Sequence, residues 1–164
     1  MNSDIDIIWH FIPEISDIKK SEDLIKKTKV FLDEDADLVN EILQEAINKG
    51  LKAGYEFIFA EQNGILIGFS SYGPIPTSEN RYEIYWLAVD PNQQGKGLGG
   101  LLLNKTIEKI KSRSSTLVFV ETSSTPEFTP ARHVYERHNF TECARLKDFF
   151  ADNHDKVIYT LKLK

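Results

Sequence analysis

Apolar and polar residues change their spacing several times along this chain, and each change marks an element. Ile5 to Phe11 is short and apolar-rich and is closed by Pro13, which predicts a strand or edge segment. From Ser16 to Leu32 the apolar residues Ile18, Leu24, Ile25, Val30 and Phe31 sit irregularly among lysines, and the pattern predicts one broken helix. A second helix opens at Asp33-Glu34-Asp35-Ala36-Asp37, where carboxylates suit the positive end of the helix dipole. It carries Leu38, Ile42, Leu43, Ala46 and Ile47 at helical spacing and stops at Gly50. At Tyr55 the repeat shortens to two: Tyr55–Glu61 and Ile65–Tyr72 flank Gln62-Asn63-Gly64, and Asn-Gly between two such runs predicts a tight hairpin. A loop follows over Gly73–Ser78. The run from Tyr82 to Val89 is apolar and aromatic on both faces, as in a central strand covered on two sides, and ends at Asp90-Pro91-Asn92.

The next helix, from Gly97 to about Lys111, has Leu98, Leu101, Leu102, Ile107 and Ile110 as its predicted buried stripe. Thr116–Thr122 reads as a buried strand, Ser123–Pro130 as a loop, Ala131–His138 as a short helix, and Thr141–Leu146 and Lys156–Leu163 as two final strands. Hairpin strands early and strand-helix-strand units later imply an α/β (α+β) fold: a mixed sheet of six or seven strands with helices on both faces. No repeat or linker interrupts residues 1–164, so one domain is expected.

Composition narrows the class. With 164 residues, 41% of them hydrophobic, the chain supports a core without disulfides, and the single Cys143 excludes an internal one. A net charge of −5 disfavours nucleic acid. No apolar run is long enough to span a bilayer and the first residues are polar and acidic, so a cytoplasmic protein without membrane partners is expected.

The nine glycines are unevenly spent: Gly95, Gly97, Gly99 and Gly100 fall between the best strand and the best helix. Glycine there lets backbone approach an anion, and the helix N-terminus offers free N–H groups. With Gln94 and Lys96 the segment reads as a pyrophosphate cradle. A nucleotide P-loop needs Ser or Thr after the lysine, and Lys96 is followed by Gly97. Gly95-Lys96-Gly97-Leu98-Gly99-Gly100 matches a dinucleotide spacing, with Glu121 as its ribose acid, which keeps a dinucleotide-binding oxidoreductase as a lesser alternative. Against it, Asp90–Gln94 separates strand from glycines, and the cluster comes late in the chain.

Gln94-Gly95-Lys96-Gly97-Leu98-Gly99 resembles the acyl-CoA signature of the Gcn5-related N-acetyltransferases (GNAT). Trp86–Pro91 is similar to that family's fourth strand, and Ala131–Phe140 to its second motif, with Asn139 in place of the usual Gly. The resemblance runs from about Tyr55 to Lys164. It implies a splayed fourth and fifth strand pair and acetyl-CoA as co-substrate, without a metal. It also implies cofactor contacts from Leu87, Ala88, Val89, Gln94, Gly95, Lys96, Gly97, Leu98, Gly99 and Arg132. Histone-acetylating members place a general-base Glu at the position of Glu83, and amino-terminal acetylating members one at Glu121. The Tyr135 position supplies the general acid to the CoA thiolate. The acceptor would be a small-molecule or peptide amine, and the assembly a monomer or homodimer. A non-catalytic acyl-CoA-binding module of the same fold is the alternative. Asp148-Phe149-Phe150 and Tyr72-Gly73-Pro74 are expected to line the acceptor pocket by the same resemblance.

Of the remaining candidates, His133 and His138 are not at helical ligand spacing, His10 and His154 stand alone in sequence, and Cys143 is expected to be a core thiol.

Overall fold

The structure, a computed structural model, describes residues 6–164; Ile5 of the first predicted strand lies outside them. Seven strands form one mixed sheet in the order β1-β2-β3-β4-β5-β7-β6. They are β1 (Ile8–His10), β2 (Glu56–Gln62), β3 (Ile65–Pro74), β4 (Arg81–Val89), β5 (Leu117–Ser123), β6 (Thr141–Ala151) and β7 (His154–Lys162). Four helices accompany them: α1 (Ile15–Thr28), α2 (Asp33–Lys49), α3 (Leu98–Ser112) and α4 (Thr129–Arg137). Among the described residues no helix is long and apolar enough to cross a membrane.

The chain clusters into two compact units that share β3, β4 and α3. One comprises the chain up to Ser71 with Trp86–Leu103, the other Tyr72–Tyr85 with Asn104–Lys164. In the first unit, Leu24 and Ile25 of α1 and Val39, Ile42 and Leu43 of α2 pack with Phe57 and Phe59 of β2, Phe69 of β3 and Ala88 of β4. The alternate residues Ala60 and Ile67 meet Leu98 of α3, so helices cover both faces here. Asn63 and Gly64 both take positive φ, 52° and 76°, the turn whose twist matches a two-residue hairpin.

In the second unit β4 and β5 are parallel, from Arg81↔Leu117 to Ile84↔Val120, whereas β4 itself runs on to Val89. β5 and β7 are antiparallel along their whole shared length, and β7 pairs antiparallel with β6.

The structure corrects several expectations. α1 is unbroken over Ile15–Thr28, because its lysines find acids instead of interrupting the helix: Lys19 reaches Asp23, Lys26 reaches Glu22 and Lys20 reaches Glu61. Gly73-Pro74 belongs to β3, not to the loop, and β6 continues well past Leu146. Leu101 is 51% exposed, and Leu103 takes its place in the buried stripe. Cys143 is exposed, as is nearly all of edge strand β6, and it is the extra residue of a bulge between Glu142↔Tyr159 and Ala144↔Ile158.

His10 is not alone either. Its Nε2 lies 3.1 Å from Oδ1 of the buried Asp17 and its ring stacks on Phe59. Glu61 completes a group whose candidate ligand atoms lie within 4.8 Å of one another, and the ammonium of Lys20, 2.6 Å from Glu61, is the cation this group already holds.

Candidate active site

The glycine segment leaves β4 through a loop that is firmly tied down. Asp90 donates its N–H to Ile67 O, accepts from Asn92 N–H at 2.8 Å and receives Lys27 Nζ at 2.5 Å. Burial alone would raise the Asp90 carboxyl. The Lys27 hydrogen bond, the Asn92 N–H and the charges of Lys27 and Lys96 outweigh it and hold the carboxyl below the usual range. Beyond this anchor Gly95 and Gly97 take φ of +75° and +85°, and a Cβ on either would meet nothing within 4 Å. The glycines are therefore there for backbone shape, with open space in front of them. Leu101 N–H bonds back to Gly97 O at 3.1 Å, so the N–H groups of Leu98, Gly99 and Gly100 precede the helical ladder. Gln94 and Lys96 are exposed beside them, and the buried Leu98 side chain fixes the helix start in the core. Exposed N–H groups, a helix N-terminus and a lysine suit the pyrophosphate of a CoA-type ligand. Leu87 and Val89 are half-buried on β4, while Ala88 points into the core.

A second site lies in the other unit. Glu83, Phe119, Glu121, Cys143, Ala144, Ile158 and Ile75 line a concavity of about 320 Å³. Register explains the set. Glu83 stands opposite Phe119, Glu121 opposite Ile158 and Ile158 opposite Ala144, so these side chains share one face. The Cys143 bulge adds a residue to that rim. Glu83 is half-buried and its carboxyl is pushed above the usual range, first by burial and then by the charge of Glu121, with Lys156 opposing. Glu121 is more open and receives Lys156 Nζ at 2.7 Å.

Tyr135 of α4 belongs to the opposite face of the sheet. Val120 and Tyr159 are a register pair one residue out of phase with the Glu83 row, and the Tyr135 ring lies 5.9 Å from Tyr159 and 5.8 Å from Phe140. It is 4% exposed, and burial pushes its phenol well above the ordinary tyrosine value. Phe140 is seated by Asn139, whose φ of 65° is the left-handed turn that the family's Gly would supply. Arg132 has protein partners: it donates to Ser123 O at 2.6 Å, Thr125 O at 3.0 Å and the Thr129 hydroxyl at 2.9 Å. These bonds tie α4 to the exit of β5.

The structure thus groups Glu83 with Glu121 and keeps Gln94–Gly99 together as one segment. Asp148, Phe149 and Phe150 lie within β6, where the span from Leu146 to Ala151 faces only Lys156 to His154 on β7. Sequence reasoning missed Lys156. Its signal was the period-two phase of β7, which sets Lys156 and Ile158 on the face of Glu121.

Residues 18–140 match the acetyltransferase (GNAT) family, and the chain belongs to it. A probable N-acetyltransferase of Mycobacterium tuberculosis is 32% identical over 99 residues, 60% of this chain and 54% of its own length, so the chain spans about half of that curated relative. A Desulfovibrio desulfuricans protein assigned to the same family is 33% identical. Its crystal structure superposes with a TM-score of 0.92 over 96% of this chain and 99% of that one. The Salmonella typhimurium protein yncA, solved with acetyl-CoA, shares the fold at 20% identity, with a TM-score of 0.77 over 96% and 94% of the two chains. The dinucleotide reading of the glycine spacing is set aside by this membership.

Proposed function

We propose that the protein transfers the acetyl group of acetyl-CoA to the primary amine of a small acceptor by direct attack. The observation that carries the reading is the pair of unequal carboxylates in a mostly apolar concavity. Glu83 is half-buried and raised, and Glu121 is engaged by Lys156.

Acetyl-CoA, as yncA binds it, supplies an activated acyl group joined to a good leaving thiolate. The cradle of Gln94, Gly95, Lys96, Gly97 and the helix start would hold its pyrophosphate. Leu87 and Val89, on β4 beyond the end of the parallel ladder, would pair with its pantetheine amides, and the Leu87 N–H would polarise the thioester carbonyl.

Glu83 is the base. An alkyl amine near pKa 10.4 is only about 0.1% neutral at pH 7, so attack needs a group that accepts its proton, and a carboxylate raised toward neutrality does this better than a free one. As the amine nitrogen bonds to the acyl carbon, its proton passes to Glu83, directly or through a water, and the carbon–sulfur bond breaks. Tyr135 returns a proton to the thiolate. Its raised pKa keeps it protonated at neutral pH, and a thiolate deprived of water is raised in the same direction. Base and acid belong to opposite faces of the sheet, so the amine is deprotonated on the side from which it enters and the thiolate protonated on the side toward which it leaves. Ile75, Phe119, Ala144 and Ile158 suit an acceptor with a compact apolar body.

The test is release of CoA thiol from acetyl-CoA over a panel of small primary amines. Turnover should appear with apolar amines, and Glu83→Gln should lower kcat/KM by about a hundredfold or more. Binding of acetyl-CoA without turnover on any amine would make the protein a non-catalytic acyl-CoA-binding module instead.

A further inference from the structure

Two carboxylates in one small, largely apolar site would repel each other and share protons, and neither would be a well-defined base. The structure deals with this through Lys156, to which the catalytic reading assigns no step. Lys156 of β7 stands opposite Ser123 in register, on the face of Glu121 and Phe119. Its ammonium lies 2.7 Å from Glu121 Oε2 and 4.1 Å from the centre of the Phe149 ring, with Phe150 at 5.9 Å. The Lys156 side chain is only 16% exposed, against 40% for Glu121. Phe149 and Phe150 are themselves half open to solvent and set edge to face, 5.0 Å apart, in the irregular stretch of β6. A covered ammonium between a carboxylate and an aromatic face is held from both sides, and loss of water strengthens each attraction.

We propose that Lys156 is a positioning residue of the acceptor site: held on the Phe149 ring, it neutralises Glu121 in an ion pair and so leaves Glu83 as the one carboxylate available to take the amine proton. The proposal rests on the N-acetyltransferase reading of this site. It gives the exposed Phe149-Phe150 pair a task as well, since the ring fixes the ammonium that sets the charge of the pocket.

The groups around Glu83 are Glu121 from β5, Lys156 from β7 and the Cys143 thiol from β6, with Tyr85 on the same face two residues along its own strand; the Ile75 segment adds an apolar side chain. Of the charged ones, Glu121 raises the Glu83 carboxyl and Lys156 lowers it. Removing Lys156 withdraws the lowering charge and also unpairs Glu121, so both changes move Glu83 the same way. Removing Lys156 and the Glu121 charge together sets them against each other.

The experiment follows the Glu83 side-chain carboxyl carbon by NMR in the full chain without substrate, with the signal assigned by its loss in Glu83→Gln. In Lys156→Met the Glu83 midpoint should rise by about half to one pH unit. Lys156→Arg should keep the wild-type midpoint, and Lys156→Met with Glu121→Gln should return it to the wild-type value or below. An unchanged midpoint in Lys156→Met, or a double variant that stays as high as the single one, overturns the proposal; a purely structural lysine would behave in that way. The acid limb of kcat/KM against pH is the separate check on Glu83 as base. A limb that ignores a shifted Glu83 midpoint refutes the base assignment while the Lys156 coupling stands.

Discussion

The glycine cradle and the Glu83 concavity are built in opposite ways. The cradle is six consecutive residues, Gln94–Gly99, whose shape comes from two positive φ angles and an anchored entry at Asp90. Its chemistry is backbone chemistry, so any sequence that allows those angles and begins a helix there produces it. The concavity draws one or two residues from each of four strands and from the Ile75 segment, and its chemistry depends on side chains brought onto one face by register. A motif can be read locally, but a register-built site exists only once the sheet does. The same difference predicts how each site fails: the cradle through backbone shape, the concavity through single side chains.

After the loss expected of Glu83→Gln, the largest effect should come from Tyr135→Phe, which leaves the ring packing with Tyr159 and Phe140 intact and removes the proton donor. We expect kcat to fall by about a hundredfold with little change in either KM, measured by thiol release. Next in size is Asp90→Ala, which strips the Lys27 ammonium and the Asn92 N–H of their acceptor and should destabilise the fold by about 1–3 kcal/mol in urea melts. The pH dependence follows from linkage. The folded Asp90 carboxyl is held low, so its contribution is present above the unfolded value of about 3.9 and is lost as pH falls through the folded one. Wild type and variant should therefore converge in acid.

Gly97→Val tests the cradle directly. No neighbouring atom obstructs the new side chain, so the penalty is the left-handed backbone, about 1–2 kcal/mol. The KM for acetyl-CoA should rise about tenfold while the acceptor KM stays put. Ile158→Ala should do the reverse, raising acceptor KM severalfold and leaving acetyl-CoA unaffected; if either variant moves both constants, the two sites are not separable. Cys143→Ser should change rates by less than about twofold, since the thiol only rims the concavity and no step is assigned to it.

Much of this was legible in the chain, for physical reasons that differ by element. The hairpin at Asn63-Gly64, α2 with its acidic first turn and α3 behind the glycines are local structures, and their residues show the required spacing and φ preferences without help from the rest of the chain. Glu83 and Glu121 were both visible as candidates, with Glu83 preferred as base, but their unequal surroundings were not, because the difference lies in Lys156, 35 residues beyond Glu121 in sequence and on the neighbouring strand in the fold. Cys143 was misplaced because β6 is an open edge strand, which its apolar content alone does not reveal. Arg132 was legible as a candidate, but its bonds to Ser123 O, Thr125 O and the Thr129 hydroxyl were not, because those partners are placed by backbone shape and a neighbouring turn. The unbroken α1 was missed for a similar reason: propensity sees lysines, while the acids that pair with them emerge only at helical spacing and, for Lys20, across to β2.

The long edge strand β6 has a further implication. From Leu146 to Ala151 it takes five steps while β7 takes two from Lys156 to His154, so three residues there already stand outside the ladder. A segment free of the pairing rule can gain or lose residues without pushing the following strand onto its wrong face. This stretch of β6, which carries the Phe149 ring under Lys156, can therefore take insertions and deletions at little cost to the sheet. A designer or a lineage could rewrite the segment there while the β5–β7 pairing that seats Glu121 stays in register.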